Sequence, residues 1–413
     1  MKFAKLSLVA AVAVAGFTTA NAQPLEEAIK NVDVSGSAVY RYNDYKSDVS
    51  NNTASSNNYK IGLNVSSKVN DDVKFNTRFL VANPSVLTQA GTTSANSVVT
   101  GNNNGFTALD TGTISDQNID VQLSQANFAY TGLKNTTVTV GKQGLNTPYT
   151  TGVMIDENEQ NGTGAMVLSA VGPVTLGAAY FNQTNLDKSG ELASTLNGLS
   201  KRGNAGTLDI TALAAIATLG PVTADAWYLD MQELFDTYTV GAKAETKLGD
   251  VTLGATARYA SLDLDASSAK NDIIKAGLSA KVGIFNASAD YAKTNKEGGI
   301  TGLDSDAVTV LKGWNISTLD KFDADYYKLV AGVDILANLN LSANYGDLKS
   351  KASASSTAAD IEEEELYGQL TYKMSKNLTT YVRYGTYTKD YTPVNSTSKI
   401  DDTRGRLQVA YTF

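Results

Sequence analysis

Along most of this chain every second residue is apolar, and that spacing leaves few folds open to it. Val174, Leu176, Ala178 and Tyr180 alternate with Thr175, Gly177 and Ala179. Leu253, Ala255, Ala257 and Tyr259 alternate with Gly254, Thr256 and Arg258. Leu339, Leu341, Ala343 and Tyr345 alternate with Asn340, Ser342 and Asn344. A sustained period of two marks strands with one apolar and one polar face. Eighteen such segments can be read between about residue 32 and Phe413, the first two at 32–43 and 58–69 and the sixteenth at 365–374.

The connections carry a second rhythm. After even-numbered segments they are tight, as at Asn70-Asp71, Gly172-Pro173, Gly220-Pro221, Gly249-Asp250 and Gly283-Ile284. After odd-numbered segments most are long and polar, including 83–118, 145–163, 182–206 and 295–325; one, around Gln232–Asp236, is short. Outer-membrane barrels are built with short turns at one end and long loops at the other. Met1–Ala22 adds a basic start (Lys2, Lys5), an apolar run from Leu6 to Phe17 and Ala20-Asn21-Ala22. This pattern predicts a secretory signal peptide over 1–22. An exported chain with no later apolar run long enough for a spanning helix crosses a membrane only as a closed barrel. The expectation is an all-β, transmembrane antiparallel β-barrel of about 18 strands occupying 23–413 as a single domain.

Composition removes other functions. The chain has no His and no Cys, so disulfides, thiolate metal sites and triads that need a histidine base are unavailable. Barrel phospholipases and proteases need a histidine, which argues against an enzyme. Loss of Lys2 and Lys5 with the leader takes the formal net charge from −8 to −10. Phosphate backbones are held by Lys and Arg, so nucleic acid is excluded as a partner.

Alternation assigns faces. On the first segment Val32, Val34, Gly36, Ala38 and Tyr40 face lipid and Arg41 faces the lumen; on the third, Val73, Phe75, Thr77 and Phe79 face lipid and Lys74 and Arg78 the lumen. The last two segments contribute Arg383, Arg404 and Arg406, which closure of the last strand on the first brings to one sector with Arg41 and Arg78. Together these form a candidate pore-lining basic wall. Loop 145–163 carries Asp156, Glu157 and Glu159. Folded into the lumen, it would constrict the pore and set carboxylates opposite the arginines. Asp120, Asp156, Glu157 and Glu159 are oxygen ligands of a type that suits Ca²⁺; no cofactor is otherwise required. Glu362–Glu365 read as the end of the eighth loop, at the exterior or the mouth. Tyr180, Tyr228, Tyr259, Tyr291, Tyr345 and Tyr384 each stand six positions after an apolar residue, a spacing that would ring one membrane interface with aromatics. Tyr411 and Phe413 end the chain on an alternating strand, which resembles the assembly signal of bacterial outer-membrane barrels.

Pro24-Leu25-Glu26-Glu27-Ala28-Ile29-Lys30-Asn31-Val32-Asp33-Val34-Ser35-Gly36 resembles the mature start of the major outer membrane porins of Campylobacter and related bacteria. Val140-Gly141-Lys142-Gln143-Gly144-Leu145-Asn146-Thr147-Pro148-Tyr149-Thr150 is similar to that family's strand leading into the constriction loop, with a departure at Pro148. The resemblance implies an 18-stranded homotrimer in outer membrane lipid and lipopolysaccharide, delivered by the outer-membrane assembly machinery. It further implies passive diffusion of small hydrophilic solutes with cation preference, a third loop folded inside, and lumenal Ca²⁺ near Asp120 and Asp156. The alternatives are a substrate-specific channel whose arginines guide carboxylates, and a surface adhesin or receptor acting through loops 83–118 and 295–325.

Overall fold

The alternating segments pair edge to edge and close on themselves. The computed structural model describes residues 32–81, 107–109, 121–155, 159–200, 203–355, 357–393 and 399–413. Its wall has 18 antiparallel strands. They are β1 (Val32–Ser47), β2 (Asn52–Lys68), β3 (Val73–Val81), β4 (Val121–Leu133), β5 (Thr136–Gly144) and β6 (Asn161–Val171), then β7 (Val174–Thr184), β8 (Ile210–Leu219), β9 (Val222–Met231), β10 (Phe235–Leu248), β11 (Val251–Leu264) and β12 (Lys270–Val282), and finally β13 (Phe285–Thr294), β14 (Phe322–Leu336), β15 (Leu339–Lys351), β16 (Asp360–Lys373), β17 (Leu378–Thr392) and β18 (Ile400–Thr412). Each pairs with its sequence neighbours, and β18 returns to β1 with Gln408 opposite Arg41 and Thr412 opposite Ser37. Thr107–Ala108 adds a two-residue pairing to β2. Closure leaves no open sheet edge, as a lipid environment requires.

The predicted leader, 1–22, lies outside the described residues. So do Asp120, Asp156, Glu157 and most of loop 83–118.

The two faces differ as alternation demands. Leu168, Leu176, Leu213, Val240, Leu278, Phe285, Leu329 and Val382 stand exposed on the outer surface, where lipid rather than water meets them. Tyr228 and Tyr384 are exposed there as well. Tyr180, Tyr259 and Tyr291 donate their hydroxyls to Asp209, Asp272 and Asp325 at the loop end of the wall. Four short turns put Gly172, Gly220, Gly249 and Gly283 at φ between +55° and +61°, the backbone that two-residue hairpin turns need. At the seam Phe413 closes the ladder by exchanging backbone hydrogen bonds with Gly36 (2.8 and 3.0 Å). The Phe413 ring lies where a Cβ on Gly36 would sit, 2.7 Å away, and stacks on Tyr411.

Strand ends on the loop side run past the alternating segments. β1 reaches Ser47, β2 starts at Asn52, and β16 starts at Asp360. Glu362–Glu365 therefore lie within a strand, not in the eighth loop. Glu362 and Glu364 point out, whereas Glu363 and Glu365 point in and are buried.

Inside the barrel the third loop (145–160), the fourth (185–209) and the seventh (295–321) fold against one wall. A short helix, α1 (Ala193–Leu199), belongs to the fourth. Leu145, Tyr149, Leu186, Leu196 and Leu303 from these loops pack on Phe181, Ile210, Leu229, Phe235 and Leu262 of β7–β11. A second cluster seats Leu311 and Ile316 against Ile273, Tyr326 and Leu348. The apolar core thus lies in the lumen, between loops and wall. Loop 295–325, read from sequence as a surface element, is largely inside, with Ile300, Leu303, Val310, Leu311, Ile316 and Leu319 buried and Val308 exposed.

Candidate functional site

The third loop is held at both ends. Leu145 N–H donates to Gln160 O at 2.8 Å, and Gln160 N–H to Thr151 O at 2.8 Å, closing the loop on itself. Two backbone hydrogen bonds join it to the seventh loop: Leu303 N–H to Tyr149 O (2.8 Å) and Thr309 N–H to Pro148 O (3.0 Å). The Gln160 amide donates to Leu303 O at 3.2 Å.

Its anchor to the wall is ionic. Glu159 is buried, and Arg78 reaches it through Nε (2.9 Å to Oε2) and an Nη (2.6 Å to Oε1). Lys60 Nζ lies 3.2 Å from Oε1, and Ser124 Oγ donates to Oε2 at 3.0 Å. Lys60 also donates to Met154 O at 2.6 Å. Gly62 makes the Arg78 approach possible, because a Cβ there would meet the guanidinium at 2.5 Å. Burial pushes the Glu159 pKa up, but the Arg78 hydrogen bond and the Lys60 and Arg78 charges outweigh it, so the carboxyl titrates below its ordinary value. Glu159 therefore does not face the arginines across the lumen: it is paired with one of them on the wall.

The seventh loop is clamped at its tip. Glu365 accepts from Trp314 N–H (2.8 Å), Asn315 N–H (2.7 Å) and the Asn315 amide (3.2 Å). Arg404 donates to Asn315 Oδ1 (2.6 Å) and pairs with Asp402 (2.6 Å). Wall lysines hold the loop backbone: Lys275 donates to Val308 O and Val310 O, and Lys328 to Lys312 O. Glu363 takes Lys321, Lys389 and the Tyr387 hydroxyl. Where the fourth and seventh loops meet, Glu191 accepts from Ser305 N–H (2.8 Å) and Oγ (2.9 Å). Asp304 is buried beside it. Burial first, then the Glu191 charge, push its carboxyl up to about 7.

Among the described residues, the wall of β1, β17 and β18 meets only the tip of the seventh loop, through Trp314 and Asn315. Arg406 sits directly opposite Arg383 in the ladder, and Arg41 opposite Gln408. In all three the Nε goes to a neutral amide oxygen: Arg41 to Gln408 (2.7 Å), Arg383 to Gln369 (2.8 Å) and Arg406 to Asn43 (2.8 Å). Arg383 stacks on Trp314, Tyr367 and Tyr381 at 5.0, 4.9 and 5.1 Å. Of the six basic residues singled out from sequence, Arg41, Arg383 and Arg406 form one cluster; Arg404 and Arg78 serve the loops, and Lys74 is exposed toward the short-turn end of β3. Alternation alone places Lys60 in the lumen, so that residue was findable. Glu363, Glu365 and Trp314 were not, because nothing in the sequence marks β16 as starting early or the seventh loop as turning inward.

The residues the resemblance offers for Ca²⁺, Asp120 and Asp156, lie outside the described residues. Among the described residues no three carboxylates come together in a way that could hold a metal ion.

The same architecture occurs in solved structures. The chain is similar to OccAB3 of Acinetobacter baumannii (14% identity, TM-score 0.70, covering 93% of this chain and 99% of that one). It is also similar to a BenF-like porin of Pseudomonas fluorescens Pf-5 (15%, 0.69, 93% and 99%). A third similar structure is OpdK of Pseudomonas aeruginosa with vanillate (14%, 0.67, 92% and 98%). Among curated proteins none matches. The family model for the Campylobacter major outer membrane protein matches residues 1–413. A closed barrel with an apolar outer face, a charged lumen and inward-folded loops, matched along its whole length by that model, belongs to the Campylobacter major outer membrane protein family: it is a porin of the Gram-negative outer membrane, a channel for small solutes.

Proposed function

We propose that small hydrophilic solutes cross passively through the gap between the loop shelf and the arginine wall, without covalent chemistry or energy input. Size is set by how far the third and seventh loops fill the lumen. Charge selection is divided between two places. Arg41, Arg383 and Arg406 attract the anionic end of a solute. Asp156 and Glu157, in a chain of net negative charge, supply the cation preference, since Glu159 is neutralised by Lys60 and Arg78.

The observation that carries this reading is Arg406 opposite Arg383. Like charges directly opposed across a ladder destabilise it, and among the described residues neither arginine is in an ion pair, Glu365 acting on Arg383 only from a distance. A wall that retains such a pair uses it on something that passes. OpdK, with its bound vanillate, is a similarly built barrel solved with a carboxylate. The functional unit is a homotrimer set in lipid and lipopolysaccharide, with Tyr411 and Phe413 as the signal read by the assembly machinery.

Reversal potentials under a KCl gradient test the proposal. Arg383→Gln/Arg406→Gln should shift the potential toward stronger cation preference, and Asp156→Asn/Glu157→Gln toward anions. An arginine double variant with the wild-type potential would remove the wall from the selectivity mechanism.

A further inference from the structure

Below the loop shelf, on the wall opposite the arginines, β9–β13 enclose a recess of about 440 Å³. Its inward residues fall in cross-strand rows. One row runs Lys243, Thr256, Gly277, Asp290 over β10–β13. The next row toward the short turns runs Glu245, Gly254, Ser279. The row above holds Arg258, bound bidentately to Asp225 at 2.7 and 2.9 Å, and Lys275, bound to the seventh loop.

Glycine weakens a strand interior and marks places where something approaches the backbone closely. Here the reason is visible. A Cβ on Gly277 would meet Asp290 Oδ1 at 2.3 Å, and one on Gly254 would meet Ser279 Oγ at 2.4 Å. Each glycine is the direct ladder partner of the polar residue it makes room for, so the carboxylate and the hydroxyl lie flat on the wall and the recess stays open. Lys243 and Asp290, of opposite sign, stand at its two ends. The ion pairs of this wall, Arg258–Asp225 and Lys281–Asp334, include neither of them.

We infer that this recess is a binding site for a small zwitterion, an amino acid or a dipeptide. Its ammonium meets Asp290 over Gly277, its carboxylate meets Lys243, and Thr256 and Ser279 line the space between. Three strand spacings separate the two backbones, but the Asp290 carboxylate lies over Gly277, two spacings or about 10 Å from Lys243. A hydrogen bond of about 2.8 Å at each end leaves about 4 Å, the span of one amino acid, and more where the flexible Lys243 side chain leans away from Asp290. A pocket of this volume suits a ligand of that size. The lining comes from the wall alone, so the recess opens sideways to the lumen. The inference rests on the channel reading, because a ligand here is detected by the current it obstructs.

The test adds glycylglycine, or its uncharged N-acetyl amide, to either side of single channels of the full-length protein in planar bilayers. Wild type should show a saturable fall in current with glycylglycine, and none with the neutral analogue. Lys243→Gln and Asp290→Asn should each raise the half-blocking concentration tenfold or more. Gly277→Val should abolish block by filling the recess, and Lys281→Gln should leave it unchanged. Block by both compounds alike, or half-blocking concentrations in the Lys243 and Asp290 variants equal to wild type, would overturn the inference while leaving the channel intact. Absence of current altogether would instead count against the channel reading.

Discussion

Replacing Glu159 by Gln should release the third loop from the wall. The substitution keeps the shape of the side chain and removes only its charge. Lys60 and Arg78 then remain in a site where their side chains are 1% and 4% exposed, two buried cations that have lost the Glu159 charge. Removing one partner of a buried pair costs about 3–5 kcal/mol. At about 1.4 kcal/mol per tenfold, the ratio of docked to undocked loop falls by two to four orders of magnitude. The hydrogen bonds from Asn185 and Ser189 to the Glu159 carbonyl are backbone-directed and survive, so the loop loosens near residues 154–159 while its start stays in place. Open-channel noise should rise and mean conductance should change. Adding Lys60→Met should recover part of the effect, because one of the two buried cations is then gone. Acid should imitate the variant in wild type. The carboxyl titrates below its ordinary 4.5, so its stabilisation is present above that value and is lost as pH falls through the lower, folded value. Noise and conductance identical to wild type would refute the idea that this ion cluster holds the constriction.

Asp304 should act in the opposite sense. Raised from 3.8 to about 7, its neutral form favours the packed loops, so its contribution is complete below about 3.8 and lost as pH rises through 7. The charges facing it are Glu191, Asp306 and Lys312. Protection from hydrogen exchange over 190–196 and 300–307, corrected for the intrinsic pH dependence of exchange, should fall between about pH 4 and 7, and Asp304→Asn should remove that step; a variant with the same pH dependence would exclude Asp304. Glu365→Gln should weaken the clamp on the seventh-loop tip. In a Trp227→Phe background, which leaves Trp314 as the sole tryptophan, its fluorescence should shift to the red; an unchanged spectrum would mean that other contacts hold the tip.

How far sequence reaches depends on what faces what. Across the lipid band one face must be apolar, so alternation locates all 18 strands and assigns Arg41, Arg78, Arg383 and Arg406 to the lumen. Above the band both faces meet water or loops and the alternation stops, although backbone pairing continues. That is why β1 and β2 are longer than the 32–43 and 58–69 read from the pattern, and why Glu362–Glu365 look like a loop. Loop paths depend on contacts between residues far apart in the chain. Glu159 meets Lys60 and Arg78 across 99 and 81 positions, and Glu365 meets Trp314 across 51. Local spacing carries no trace of such pairs.

The chain has no Cys, so single cysteines report without background which side chains meet water. On β11, Thr252→Cys and Thr256→Cys should react with a membrane-impermeant maleimide supplied to both sides of reconstituted membranes, while Ala255→Cys and Ala257→Cys should not. Labelling that ignores this two-residue rhythm, or that favours the alanine positions, would contradict a barrel with a wet interior and a lipid-covered outside.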